Sequence, residues 1–174
     1  SPTGALLPGS CSNVTTFAIP SVAGCNPADS RPWAVKEYMG KVYVGVVCSA
    51  ESSGSKADLK TQIFAFDPVG GSWTPVFTTA PSLNYTTKGC ASGIRGQSTC
   101  CEWNPWVSAS NYSFSGVDPF GFICNPQPIL SDIEFDVDGS MILGFMDRFG
   151  ILVGWQNKYK LGDEQLYSGM AGGD

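Results

Sequence analysis

Tyr38-Met39-Gly40-Lys41-Val42-Tyr43-Val44-Gly45-Val46-Val47 and Val137-Asp138-Gly139-Ser140-Met141-Ile142-Leu143-Gly144-Phe145-Met146 are two versions of one phrase. Each has a turn glycine, one polar residue, three strand formers, a second glycine and two more apolar residues. Buried strands read as apolar runs, and a glycine inside one lets another backbone come close. That is the texture of the inner hairpin of a propeller blade. Two such units cannot close a ring. The expected fold class is therefore all-β, with antiparallel propeller-type blades forming an incomplete propeller.

Around the first copy the pattern supplies a whole blade. Pro32–Tyr38 is a strand, Met39-Gly40 turns it, and Lys41–Cys48 returns. Ala50–Leu59 is a polar loop. Thr61–Asp67 alternates with period two, as a half-buried strand does. Pro68 to Gly71 makes a turn, and Ser72–Phe77 forms a fourth strand, with Trp73 set to cover the blade's outer edge. Four strands in about 45 residues match the size of one blade. Around the second copy, Pro128–Asp136 and Met141–Asp147 are strands joined at Asp138-Gly139, a strong hairpin turn. Arg148–Trp155 is expected to continue that blade, and no amphipathic helix is evident. The chain divides into an extended arm with a Cys-bounded loop (1–30) and a β domain (31–174). The latter comprises a blade (31–77), a long disulfide-pinned insertion (78–127), a second blade (128–156) and a Gly-rich tail (157–174). The arm packs on its own domain or pairs with a neighbouring molecule by strand addition.

Composition narrows the functional classes. The 174 residues suffice for one domain that buries roughly two-thirds of its unfolded surface. Charged residues make up 14%, and the net charge is −5. Nucleic-acid binding wants a basic stripe, and so does an anionic membrane surface, so both are disfavoured. No apolar run approaches the roughly 20 residues that span a bilayer. The chain lacks histidine. That removes the commonest general base, the Ser-His and Cys-His nucleophile systems and His-ligated zinc.

Seven cysteines in such a chain point to disulfides and an oxidising compartment. Cys11 with Cys25 is an easy local pair. Cys90, Cys100, Cys101 and Cys124 lie in one irregular region and supply two more bridges. Cys48 ends a buried strand and is the candidate odd thiol. Connectivity stays open at the level of sequence. The absence of an initiating Met at Ser1 fits either a processed N-terminus or a truncated chain.

Several of these segments resemble the propeller-like region of large secreted bacterial surface proteins, which often carry SdrD B-like or immunoglobulin-like repeats. The similarity rests on Arg31–Lys36, Gly40–Cys48, Gln127–Asp136, Gly139–Phe145 and Asp147–Gly150. It covers roughly Arg31 to Asp174, with a gap over the insertion. The resemblance implies extracellular display, adhesion or structure, with no established reaction.

Five constellations have chemical or structural readings. Asn13, Asn84 and Asn111 each open an Asn-x-Ser/Thr sequon in an expected loop, so they are candidate glycosylation sites. Asp132, Glu134, Asp136 and Asp138 alternate along a strand into its turn. Calcium takes several hard oxygens, so a divalent site is one reading; solubilising side chains plus an Asp-Gly turn is the favoured one, leaving the chain without a cofactor. Trp103-Asn104-Pro105-Trp106 would let Trp103 and Trp106 stack on a carbohydrate if the loop exposes them, against the commoner role of capping a core. Glu134 with Asp147 is a conceivable glycosidase pair, although nothing in the sequence fixes their separation. Asp147-Arg148 reads as a local ion pair or an anchor between blades.

The leading expectation is a non-enzymatic, secreted or cell-surface structural or adhesion protein. Its open sheet edges or N-terminal arm would make it a self-assembling homo-oligomer, the repeating subunit of a filament or surface layer. The alternatives are a carbohydrate-binding module and a carboxylate-dependent glycan-active enzyme.

Overall fold

The computed structural model describes residues 15–79, 83, 102–107, 122–158 and 166–169. Within them, β1 (Ser30–Tyr38), β2 (Lys41–Cys48), β3 (Lys60–Asp67) and β4 (Ser72–Thr78) form an antiparallel meander in chain order. A second hairpin pairs β6 (Pro128–Phe135) with β7 (Met141–Asp147). A small parallel pair joins β5 (Phe122–Ile123) to β8 (Ser168–Gly169), beside the short helix α1 (Arg148–Val153).

The repeated phrase is a structural repeat down to its irregularity. Tyr38 pairs with Lys41 across Met39 and Gly40, both at positive φ (49° and 75°), the geometry of a type I′ turn. In the other hairpin Gly139, at φ 85°, donates to Asp136 O (3.0 Å), and Asp136 N–H donates to Ser140 O (2.9 Å). Both hairpins then slip register. Trp33 is skipped before Ala34 pairs with Gly45, and Ser131 is skipped before Asp132 pairs with Gly144. The second glycine of each phrase thus sits opposite the residue after a bulge, where the backbone bends.

The two hairpins are not successive blades. No hydrogen-bonded ladder joins the β6–β7 sheet to the β1–β4 sheet. Instead β6 lies against β1 and β2, so Ala34, Val47 and Ile63 meet Leu130 and Ile133 in one buried cluster. Tyr43, Phe135, Met141, Leu143 and Phe145 pack around it. Gly45 makes this approach possible, because a Cβ there would lie 2.9 Å from Leu130 Cγ. At the turn end of the layers, Tyr38 stacks on Phe135 with ring centroids 4.0 Å apart.

The other face of the meander carries Val44, Val46, Cys48 and Phe64, and residues of the arm cover it. Val22 is buried there, Phe17 lies on Phe66 (4.6 Å), and Ala23 N–H donates to Gln62 Oε1 (3.0 Å). Covering on both sides explains why β3 is buried from Thr61 to Phe66 rather than half-buried, as its alternation suggested.

The propeller expectation is therefore overturned. Among the described residues the sheets are small and unclosed, and only one of them has a blade's four strands. Where a second blade would add a third strand, Asp147 starts a helix. Its carboxylate accepts from Phe149 N–H and from Gln127 N–H, both at 2.9 Å. An N-cap bound to the residue just before β6 ends β7 and fixes the helix in one step. What stands is mostly antiparallel β structure with one short helix.

The disulfide expectation also changes. Cys25 is bonded to Cys48, with Cα atoms 5.8 Å apart, so Cys25 does not pair with Cys11 and Cys48 is not the odd thiol. The physical reason is the path of the arm, which lays Val22 and Cys25 over the end of β2. Cys124 is buried. Cys11, Cys90, Cys100 and Cys101 lie outside the described residues.

Candidate functional site

The described part of the insertion does not form an exposed loop. Asn104 N–H donates to Pro126 O (2.8 Å), and Trp106 N–H donates to Ser49 O (2.9 Å). Residues 102–107 thus bridge the end of β2 and the approach to β6. Trp103 is buried with Ala50 and Leu59 and lies near Phe145. Trp106 is 7% exposed, and its indole N–H donates to Pro128 O (2.9 Å). Neither ring is an exposed platform for a sugar, because both are buried.

Trp106 is instead the floor of a charged cluster. The Arg148 guanidinium carbon lies 4.5 Å from its ring centroid, and that of Arg31 lies 5.7 Å away. Arg31 pairs with Glu51 at 2.9 Å. Arg148 donates to Gln127 Oε1 (2.5 Å) and Val107 O (3.3 Å). Burial holds the Arg148 pKa below its ordinary value; Glu51 opposes that shift and Arg31 adds to it. Guanidinium nevertheless stays charged in proteins. Each part comes from a different element: Arg31 from β1, Glu51 from the loop after β2, Trp106 from the insertion and Arg148 from the start of α1. Only Trp106 stood out in the sequence as a candidate binding residue. The arginines carried no spacing signal, because the fold alone brings them together.

The alternating carboxylates do not converge. Asp132 accepts from Ile133 N–H, Asp136 from Val137 N–H and Asp138 from Ser140 N–H. Glu134 is held by Lys36 at 2.6 Å across the two layers. Among the described residues no group of three or more potential ligands is placed to hold a metal. Glu134 and Asp147 are also far apart. Asp147 pairs with Pro128, so Glu134 lies further along β6 by about 20 Å at strand rise. Paired glycosidase carboxylates need separations below about 10 Å. The sequon residues Asn13, Asn84 and Asn111 lie outside the described residues. No helix among the described residues is long and apolar enough to cross a membrane.

Comparison with known proteins adds one relative. The chain is 31% identical over 133 residues to colossin-C of Dictyostelium discoideum, covering 73% of this chain and 11% of the relative. The chain thus spans about a tenth of that protein's length. No family model matches, and no solved structure matches. The relative comes from an amoeba. Together with the unclosed sheets, this corrects the resemblance to bacterial propeller-bearing surface proteins.

Proposed function

We propose that this region is a non-catalytic structural module of an extracellular protein. The observation that carries the reading is the Cys25–Cys48 bridge, which ties the arm to a core strand. Such bridges persist in oxidising compartments and are rare in reducing ones. The reading is supported by the way the carboxylates of the second hairpin are used on neighbouring N–H groups and on Lys36. In colossin-C the matching stretch is a small part of a long chain, as a structural module would be. Assembly would run through the open edges of the meander, where Trp33 and Val35 of β1 are 60% and 65% exposed.

Two measurements test this. Thiol alkylation of the protein taken directly from its source under denaturing, acid-quenched conditions should leave Cys25 and Cys48 unlabelled until a reductant is added. Labelling of both without reductant would place the chain in a reducing compartment and end the extracellular reading. Sedimentation of the oxidised chain over a rising concentration series should show association that Val35→Lys weakens. A strict monomer throughout removes self-assembly.

A further inference from the structure

The cluster around Trp106 holds more donors than it uses. Glu51 takes one amino group of Arg31, but Arg31 Nε is buried without a hydrogen-bond partner. Gln127 is fully buried, and its Oε1 is fixed by Arg148, a donor-only group; its Nε2 is also unpartnered. Ser49, likewise fully buried, holds Trp106 through its carbonyl and leaves its hydroxyl unpartnered. Buried polar atoms without partners are rare in folded proteins, so three on residues that border Trp106 mark this cluster. The charges are unbalanced in the same sense. Arg31, Arg148 and Glu51 together carry a net charge of +1, while the neighbouring Asp147 carboxylate accepts from the Gln127 and Phe149 N–H groups. The rim is open to solvent, with the Arg31 and Glu51 side chains 37% and 32% exposed.

We propose that Arg31 and Arg148, over the floor of Trp106, form a binding site for a carboxylate. A guanidinium presents a rigid fork of N–H groups that matches the two oxygens of a carboxylate. Glu51 already accepts from one amino group of Arg31 in this cluster. A singly charged group balances the charges of Arg31, Arg148 and Glu51, whereas a dianion such as sulfate would leave an excess negative charge beside Glu51. The aromatic floor keeps water from one side and holds both cations in place by cation–π attraction. The carboxylate belongs either to an acidic side chain of a partner or to a free small acid.

The test follows the side-chain Nε–H signals of Arg31 and Arg148 in the oxidised, nitrogen-15-labelled 174-residue chain at low salt. The probes are a blocked hexaglutamate peptide, acetate and inorganic sulfate. Saturable shifts with the peptide alone assign the site to a partner's acidic segment, and saturable shifts with acetate assign it to small acids; either supports the proposal. Arg148→Gln should weaken binding by about tenfold or more, the usual scale for losing one partner of a desolvated charge contact. That variant also loses a contact to Gln127, so Glu51→Gln provides the second arm. It removes the competing carboxylate and should tighten binding about fivefold, the scale of a fully solvated charge contact of about 1 kcal/mol. A purely structural cluster predicts no such gain. Absence of shifts with peptide and acetate up to about 50 mM, a range that would still detect millimolar affinity, overturns the proposal. So does a response to sulfate alone, or unchanged affinity in Glu51→Gln.

Discussion

Gly45 is the residue on which the layering turns. It is a packing glycine: its value is the missing side chain under Leu130, not unusual torsion angles. Gly45→Ala forces Leu130 and Ala34 apart and should cost about 1–3 kcal/mol, the range for overpacked cores. Urea unfolding measures it, and trimming Leu130 in the same chain should recover part of the loss. Met39 shows the opposite case. It is 83% exposed and held at φ 49° in a turn that favours Asn followed by Gly. Met39→Asn should therefore raise stability by about 0.5–1 kcal/mol. Asp138 makes a pH prediction with a definite sign. Its hydrogen bonds to Ser140 hold its pKa below the ordinary 3.8. A carboxylate with a depressed folded-state pKa favours the fold above its unfolded value and loses that contribution as pH falls through the folded one. A carbon-13 titration should show Asp138 more than half ionised at pH 3.8, and Asp138→Asn should remove that part of the acid dependence.

At the scale of elements, the disulfide and the helix cap are the two devices that single substitutions expose. The Cys25–Cys48 bridge closes a loop with a sequence separation of 23, for which loop entropy gives about 3 kcal/mol. Replacing both cysteines with alanine should lower stability by that order in denaturant titration. Asp147→Ala removes acceptors from Phe149 N–H and Gln127 N–H together. The cost should reach about 2 kcal/mol, the upper end for a lost N-cap, with α1 amides exchanging faster. These elements also mark what the sequence could and could not reveal. Strands β1, β2, β3, β4, β6 and β7 were legible from apolar runs in β2 and β7, from alternation in β3 and from the Gly, Pro or Asp turns between them. Helix α1 was not, since its six residues are too few to show a period and its cap is fixed by a residue 20 positions back. The cysteine pairing was hidden for the same reason. It depends on the arm crossing β2, a long-range fact that cysteine spacing does not encode. Of the candidate site, Trp106 was visible as a residue, while its partners Arg31, Glu51, Gln127 and Arg148 were scattered through the chain.

For the whole molecule, the central question is how two hairpins of similar sequence hold each other without a shared ladder. The Lys36–Glu134 pair is half-exposed and adds little, as surface ion pairs generally do. The joint rests on Leu130 and Ile133 against Ala34, Val47 and Ile63, and on the stack of Tyr38 with Phe135. A stack of this kind contributes about 0.5–1.5 kcal/mol beyond buried area. A double-mutant cycle on Tyr38→Leu and Phe135→Leu should return a coupling of that size, with Tyr43, which lies beside both rings, left in place. Native-state hydrogen exchange on Phe135→Leu separates two ways the layers can cooperate. If the meander and the β6–β7 hairpin open independently, amides of β6 and β7 will speed up while those of β2 and β3 keep their protection. The meander favours this outcome: it has its own ladders, its own disulfide and a second core under the arm. Equal acceleration in all four strands would mean that neither layer persists without the other, and that the repeated hairpin is one cooperative unit rather than two.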